Sequence, residues 1–339
     1  MPKNVPKSLR ARAPTRIDLA GGTLDIWPVY MMLEQAATVN VAIDLYAGAT
    51  IEPSTSTWRV TVEDGGRQIE SPSPGELSKQ IGAEIAGTLL SFFTPDEPVS
   101  VTTRSQAPSQ SGLGASSALG IALAGGLNEW TGSRYEPSDL IEIVKNTEVK
   151  ILGTLTGAQD HYPPVYGGAS CLWWGMSGDR REPLPLDASS FEDRFLLAYT
   201  HQPHRSGVNN WAVVKRFLDG DATTRQAFET IGGIAVQMRE ALVNGDLERA
   251  TELVGEEWEA RQRLAPAVSS PEVERILSAA LQSGADSGKA CGAGGGGCLL
   301  IAARPDKRAA VEDAIRAAGG SLVAFHVDTQ GLQLDSAGG

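Results

Sequence analysis

No segment constrains this chain more than residues 107–120, APSQSGLGASSALG. Three glycines and four serines fall within fourteen positions and lead straight into the apolar run IALAGGLNEW. A Gly-rich loop entering a helix is a ready anion site. Backbone N–H groups point outward, the helix dipole favours negative charge, and glycine lets a phosphate come close. The helix after Ser116 fits that description, and a hydroxyl of Ser116 or Ser117 would reach phosphate oxygens or a magnesium ion. A serine-capped helix after a flexible turn accounts for the same composition, so other segments have to decide.

Three rival motifs fail on spacing. A Walker A loop needs G-x-x-x-x-G-K-[ST], and GADSGKA (residues 284–290) has the wrong spacing and ends in Ala290. A nucleophile elbow needs G-x-S-x-G, and GASSA places Ala118 where the second glycine belongs. GAGGGG (residues 292–297) matches G-x-G-x-x-G formally. It leads into the apolar strand CLLIAA, not into a helix, and lacks the acidic residue a ribose contact requires.

The 339 residues suffice for two packed domains. Apolar residues make up 41 % of the chain and charged ones 21 %, which is the composition of a chain with a core. A net charge of −12 argues against nucleic acid as a partner, because phosphate backbones reward clustered Lys and Arg. Cys171, Cys291 and Cys298 are odd in number, fit no zinc spacing and point to a reducing cytoplasm. The N-terminal MPKNVPKSLRARAP has basic residues without the apolar core of a signal peptide. The longest apolar runs fall short of the roughly 20 residues a membrane span needs.

Strands are expected at Arg16 to Ala20, over TVNVAIDLYAGATIEP (one or two) and in PVSVTTRSQAP, GGASCLWWG and FLLAYTH. A hairpin is expected in WRVTVEDGGRQIES, around Asp64-Gly65-Gly66. GELSKQIGAEIAGTLLSFF has helical spacing, and EPSDLIEIVKNTEVKIL reads as a helix capped by Ser138. The polar, turn-rich residues 177–193 mark a domain boundary. Beyond it come several amphipathic helices between Asn209 and Ser283, a glycine run feeding a strand, a helix near Pro305 to Ala318, and a last strand SLVAFHVD. Two such units suggest an α+β protein.

APTRIDLAGG near the start, PSQSGLGASSA near residue 110 and KACGAGGGGCLL near residue 295 stand in a definite order. Together they resemble the GHMP kinase superfamily of galactokinase, homoserine, mevalonate and phosphomevalonate kinases. The resemblance implies an α+β, two-domain fold. A ribosomal-protein-S5-like N-terminal domain would span residues 1–185, and a ferredoxin-like C-terminal domain with added helices residues 186–339. ATP and the acceptor would bind in the cleft between them. The family's P-x-x-x-G-L-G-S-S-A falls on Pro108, Gly112, Leu113, Gly114, Ala115, Ser116 and Ser117. Ser116 takes the place of the metal-binding hydroxyl, but Ala115 and Ser117 depart from the pattern and leave open which hydroxyl faces the magnesium ion. Glu148 would be the metal-binding carboxylate, and Asp160, twelve positions on, the base for the acceptor hydroxyl. Arg16 would sit near that base and the transferring phosphoryl. Gly292, Gly294 and Gly295 would form the third motif beside the phosphate loop.

The first motif speaks to the acceptor. Galactokinases carry G-E-H-T-D there, whereas this chain has LAGGTLDIWPVY. It is closer to the heptose-7-phosphate 1-kinase and fucokinase branch, with L-A-G-G-G-T-D. GAQDHYPPVYGG likewise resembles that branch's G-K-Q-D-Q-Y-A-A-x-x-G-G. A sugar or sugar-phosphate acceptor, phosphorylated at its anomeric 1-hydroxyl, is the expectation, with Thr23, Asp25 and Asp160 on the acceptor side. Trp27 would stack on a sugar face, although an aromatic after a turn is more often core. THQPHRSGVNNW (residues 200–211) opens a helix with basic residues, and Arg205 there would suit a phosphate or carboxylate on the acceptor. Its histidines lack zinc spacing. ATP and Mg2+ are the implied cofactors, without nucleic acid or membrane partners, and the oligomeric state stays open. The alternatives are an alcohol kinase of the mevalonate or homoserine type and a kinase-like sensor that binds ATP and sugar without turnover.

Overall fold

The computed structural model describes residues 7–203 and 206–337. Its strands and helices divide between two sheets. In the first, β1 (Ser8–Ala20) pairs antiparallel with β2 (Ala37–Pro53). β1 alternates inside and outside as far as Arg12 and is buried at every residue from Ala13 on. A strand covered on both faces reads as a continuous buried run, so the charged Arg16 and Asp18 in that run are held inside the protein.

The remaining elements follow in order. β3 (Trp58–Val62) and β4 (Arg67–Ser71) make the expected hairpin. α1 (Pro74–Leu77) and α2 (Glu84–Phe93) replace the single expected helix, which breaks where Gly82 takes φ +91°. Then come β5 (Val99–Ser105), α3 (Ala115–Trp130), α4 (Pro137–Leu152), α5 (Tyr162–Tyr166) and β6 (Ala169–Trp173). β7 (Arg180–Leu184) and α6 (Ala188–Arg194) occupy the stretch read as polar loop. The second sheet contains β8 (Phe195–Tyr199), followed by α7 (Ser206–Leu218), α8 (Ala222–Val243), α9 (Leu247–Gln262) and α10 (Pro271–Gln282). β9 (Ala285–Ala290), β10 (Cys298–Ala303), α11 (Pro305–Ala317), β11 (Ser321–Val323) and β12 (Gln333–Ala337) complete the chain.

The first sheet runs β12-β1-β2-β5-β3-β4, with β6 on the free part of β2 and β7 on β6. The second is antiparallel, in the order β11-β8-β10-β9. This is an α+β, two-domain fold. The chain crosses back at its end. Only residues 321–323 of SLVAFHVD join the second sheet, and β12 returns to pair with β1.

α3 is the element that positions the site. It lies on β1 and β2 and is buried from Gly120 to Asn128, because its sequence is small and apolar all round. A Cβ at Gly120 would lie 2.4 Å from Val144 Cγ1, so α3 and α4 approach closely and Ser117 reaches Glu148. α4 is capped by Glu136 and Asp139 in a reciprocal capping box, not by Ser138. Pro137 supplies a pre-set φ at the first helical position, which moves the cap two residues earlier.

Candidate active site

The phosphate-type loop turns on two left-handed glycines, Gly112 (φ +75°) and Gly114 (φ +72°). A Cβ at Gly112 would lie 2.5 Å from Cys291 O, and Cys298 N–H donates to Ser111 O at 2.7 Å. The second and third motifs are thus in contact through backbone. α3 then starts at Ala115, so the first N–H groups of its opening turn lack intrahelical acceptors. Ser116 is exposed and Ser117 buried, Leu113 is buried with its carbonyl accepting from Arg16 N–H, and Pro108 is half-buried at the start of the loop.

Arg16 and Asp160 meet below this loop. Arg16 Nε and Nη2 both donate to Asp160 Oδ1, at 2.9 and 2.6 Å, and Nη1 donates to Gly112 O at 2.6 Å. Burial disfavours the guanidinium charge, but the carboxylates of Asp160 and Asp18 outweigh it and raise the pKa. A Cβ at Gly114 would lie 3.5 Å from Asp160 Cβ and Cγ.

Glu148 comes from α4 to the same helix end. Ser117 Oγ donates to its carboxylate at 3.0 and 3.1 Å, and His161 Nε2 meets Oε2 at 3.0 Å. His161 is fully buried, and its Nδ1 faces Ala158 O at 3.1 Å. A carboxylate and a carbonyl only accept, so both ring nitrogens carry protons. Burial opposes both charges, yet their mutual attraction wins: the Glu148 carboxyl is held below, and the His161 imidazolium above, the usual range.

Asp25 is bound to the residue preceding Asp160, and Thr23 Oγ1 accepts from Arg261 Nη1 at 3.3 Å. Asp25 is 3 % exposed and accepts the Gln159 N–H at 2.9 Å. A Cβ at Gly157 would sit 2.0 Å from its Oδ2, so only glycine fits there. Burial pushes the carboxyl up to about 6, helped by the charge of Asp160. Trp27 is 64 % exposed and so is not a core aromatic, the more frequent of the two readings; the turn that buries Leu24 and Ile26 directs it outward.

Other expectations fare differently. Gly292 N–H donates to Asp18 Oδ1 at 2.9 Å, and Gly295 N–H to Val268 O at 2.6 Å. These two N–H groups therefore hold the third loop in place. Arg205 and His204 lie outside the described residues.

Sequence reading missed a buried charge cluster behind the site. Lys289 Nζ meets Asp18 Oδ2 at 3.1 Å and Glu257 Oε2 at 3.0 Å, and Arg261 pairs with Glu257. It also missed His161. The signal available was a charge inside an otherwise apolar run, as at Asp18 in TRIDLAGG, and a histidine directly after Asp160.

Among the described residues, no group of three or more His, Cys, Asp or Glu could hold a metal ion, and no helix is long and apolar enough to cross a membrane.

Two family models match this sequence: the GHMP kinases N terminal domain over residues 79–168 and the GHMP kinases C terminal domain over residues 238–321. A D-glycero-alpha-D-manno-heptose 7-phosphate kinase of Campylobacter jejuni is 28 % identical, over 96 % of this chain and 98 % of that protein. A bifunctional fucokinase/GDP-fucose pyrophosphorylase of Arabidopsis thaliana is 26 % identical over 90 % of this chain, which spans only 30 % of that longer protein. The crystal structure of a D-glycero-D-manno-heptose 1-phosphate kinase of Bacteroides thetaiotaomicron superposes with a TM-score of 0.78, covering 98 % of this chain and 100 % of that one, at 21 % identity. At that identity the likeness concerns the fold.

Proposed function

The chain belongs to the GHMP kinases, and from that membership we propose that it transfers the γ-phosphoryl group of ATP to a hydroxyl of a sugar or sugar phosphate, namely the anomeric 1-hydroxyl. The observation that carries this reading is the meeting of Gly114, Arg16 and Asp160. The helix end suited to phosphate lies directly against a carboxylate held by a guanidinium. Direct transfer needs in-line positioning and charge stabilisation more than covalent chemistry. Both Arg16 donors engage Oδ1, so Asp160 Oδ2 takes the proton of the acceptor hydroxyl. The anomeric hydroxyl is the most acidic of a sugar, which suits a carboxylate base. Arg16 keeps that base oriented and faces the charge that develops on the phosphoryl oxygens.

The donor set fits magnesium. One buried carboxylate beside two hydroxyls offers hard oxygen ligands, and Mg2+ is ordinarily held by one or two carboxylates together with substrate phosphates. Glu148 and Ser116 would hold it, and when bound it neutralises charge on the β- and γ-phosphates. Both hydroxyls reach Glu148, but Ser117 is buried against it whereas Ser116 is exposed at the helix start. Ser116→Ala is therefore expected to raise the magnesium concentration for half-maximal activity about tenfold. Ser117→Ala should shift it less, and a larger shift for Ser117→Ala in a magnesium titration would reverse the assignment.

The acceptor is read by Asp25. Sugar hydroxyls donate to carboxylates, Asp25 lies two residues from Thr23, and the heptose kinase and fucokinase named above are similar to this chain over most of its length. An acceptor panel of heptose 7-phosphate, fucose, mevalonate and homoserine with ATP tests the class; turnover of mevalonate or homoserine alone would replace the sugar with a simple alcohol.

The pH dependence follows from Asp25. Its carboxyl titrates near 6 in the folded protein, above its ordinary 3.8. The ionised form accepts hydroxyl hydrogens, so kcat/KM for the acceptor is expected to fall as pH drops through about 6. The folded state holds this proton more tightly than the unfolded chain. Stability from Asp25 is therefore full below about pH 4, declines as pH rises toward 6 and stays lost above it. Asp25→Asn should accordingly gain roughly 1–3 kcal/mol of stability at pH 8 while losing acceptor affinity. A denaturant titration showing no gain at pH 8 would count against a strained carboxylate there.

A further inference from the structure

The acceptor loop, residues 21–25, is held from behind by a side chain that arrives from α9. Arg261 is 1 % exposed. Its Nε donates to Glu257 Oε1 at 2.9 Å and Nη2 meets the same oxygen, so the planar group is fixed on its own helix. The outer edge of the guanidinium reaches the loop. Nη2 donates to Gly22 O at 3.1 Å, and Nη1 donates to Thr23 Oγ1 at 3.3 Å and to Gly292 O at 3.5 Å. Gly22 is the residue that admits it, since a Cβ there would lie 2.6 Å from Nη2. Thr23, in turn, sits at φ +76°. A β-branched residue holds that conformation only where its surroundings over-determine it.

We propose that Arg261 is the positioning residue of the acceptor loop. By binding Gly22 O and Thr23 Oγ1 it keeps Thr23 left-handed and so sets the loop that carries Asp25. The proposal rests on the reading of Thr23 and Asp25 as the acceptor side. Arg261 itself is too deeply buried to touch the acceptor. A cation needed only to neutralise Glu257 and Asp18, 3.9 Å away, would require neither bonds to Gly22 O and Thr23 Oγ1 nor a strained threonine at position 23. Removing its fork therefore acts chiefly on acceptor binding, because its contact to Gly292 O is the longest of the three at 3.5 Å and Gly292 is held separately by its N–H to Asp18 Oδ1 at 2.9 Å.

The test is a double-mutant cycle of Arg261→Lys and Thr23→Gly, well below the unfolding temperature. Acceptor KM is measured with heptose 7-phosphate at saturating MgATP, and nucleotide Kd by calorimetry. Lysine keeps the charge and loses the fork. Arg261→Lys is expected to raise acceptor KM about tenfold, with ATP Kd within about twofold. Glycine adopts the left-handed conformation without help, so in the Thr23→Gly background the same change should add less than about threefold. An equal increment in both backgrounds, an equal rise in ATP Kd, or an unchanged acceptor KM would overturn the proposal. If Arg261→Lys does not fold, Gly22→Ala displaces the guanidinium without removing its charge and should raise the same KM; an unchanged KM there overturns it too. Asp25→Asn separates the two levels. If it leaves acceptor KM unchanged, the acceptor reading falls and this inference with it. If it raises KM while Arg261→Lys does not, only the role of Arg261 falls.

Discussion

Asp160→Asn is expected to lower kcat by about 10²- to 10⁴-fold and to leave nucleotide affinity nearly unchanged. The substitution isolates the proposed proton-accepting role. An asparagine Oδ1 can still accept from Arg16 Nε and Nη2, which now meet the carboxylate at 2.9 and 2.6 Å. The guanidinium, the Gly112 carbonyl it also binds and the loop above them therefore keep their places. Only the capacity to take a proton is lost. Steady-state kinetics with calorimetric titration of ATP check the two halves together. Turnover within about threefold of the native enzyme would mean that Asp160 only orients the acceptor. A matching loss of ATP affinity would mean that the carboxylate supports the nucleotide site.

The parts of this site that were legible in the sequence are those whose chemistry demands contiguous residues. A loop that admits phosphate needs small residues beside a helix start, which residues 107–120 offer, although it took the other two motifs to favour that reading over a capped helix. Asp160 and Glu148 were named because the family resemblance implies a carboxylate on a helix and a second acidic residue shortly after it. What escaped is long-range pairing. Nothing in GKACG says that Lys289 lies between Asp18 and Glu257, and nothing in EARQR says that Arg261 reaches Gly22 and Thr23. These partners are brought together only when the helices beside the second sheet pack on β1. The same limit explains the end of the chain. β12 has little to mark it as a strand, and it forms because β1 offers an edge. The cap of α4 was misread for a local reason, a proline that moves the helix start.

Lys289→Met should have the largest effect on stability, about 3–5 kcal/mol and a fall in apparent Tm on the order of 10 °C. Lys289 is fully buried between two carboxylates, Asp18 Oδ2 at 3.1 Å and Glu257 Oε2 at 3.0 Å. Burial alone would raise both carboxyls, but the surrounding cations outweigh it and hold them ionised. Removing the lysine leaves two buried negative charges, with Arg261 and Arg16 to share. That breaks a balanced network, a costlier change than replacing the whole network with apolar groups. Lys289→Met combined with Glu257→Gln restores the balance of charge and should recover part of the loss, as read by thermal unfolding at pH 7. If the double variant is no more stable than Lys289→Met, packing and not charge sets the cost. The cluster also bears on the site itself. Asp18 accepts the Gly292 N–H of the third motif and lies 3.9 Å from Arg16, so the single variant should loosen the hold of Arg16 on Asp160 as well. A measurable fall in kcat at temperatures where Lys289→Met remains folded is the corresponding expectation, and it ties the buried charges of β1 to the chemistry carried out above them.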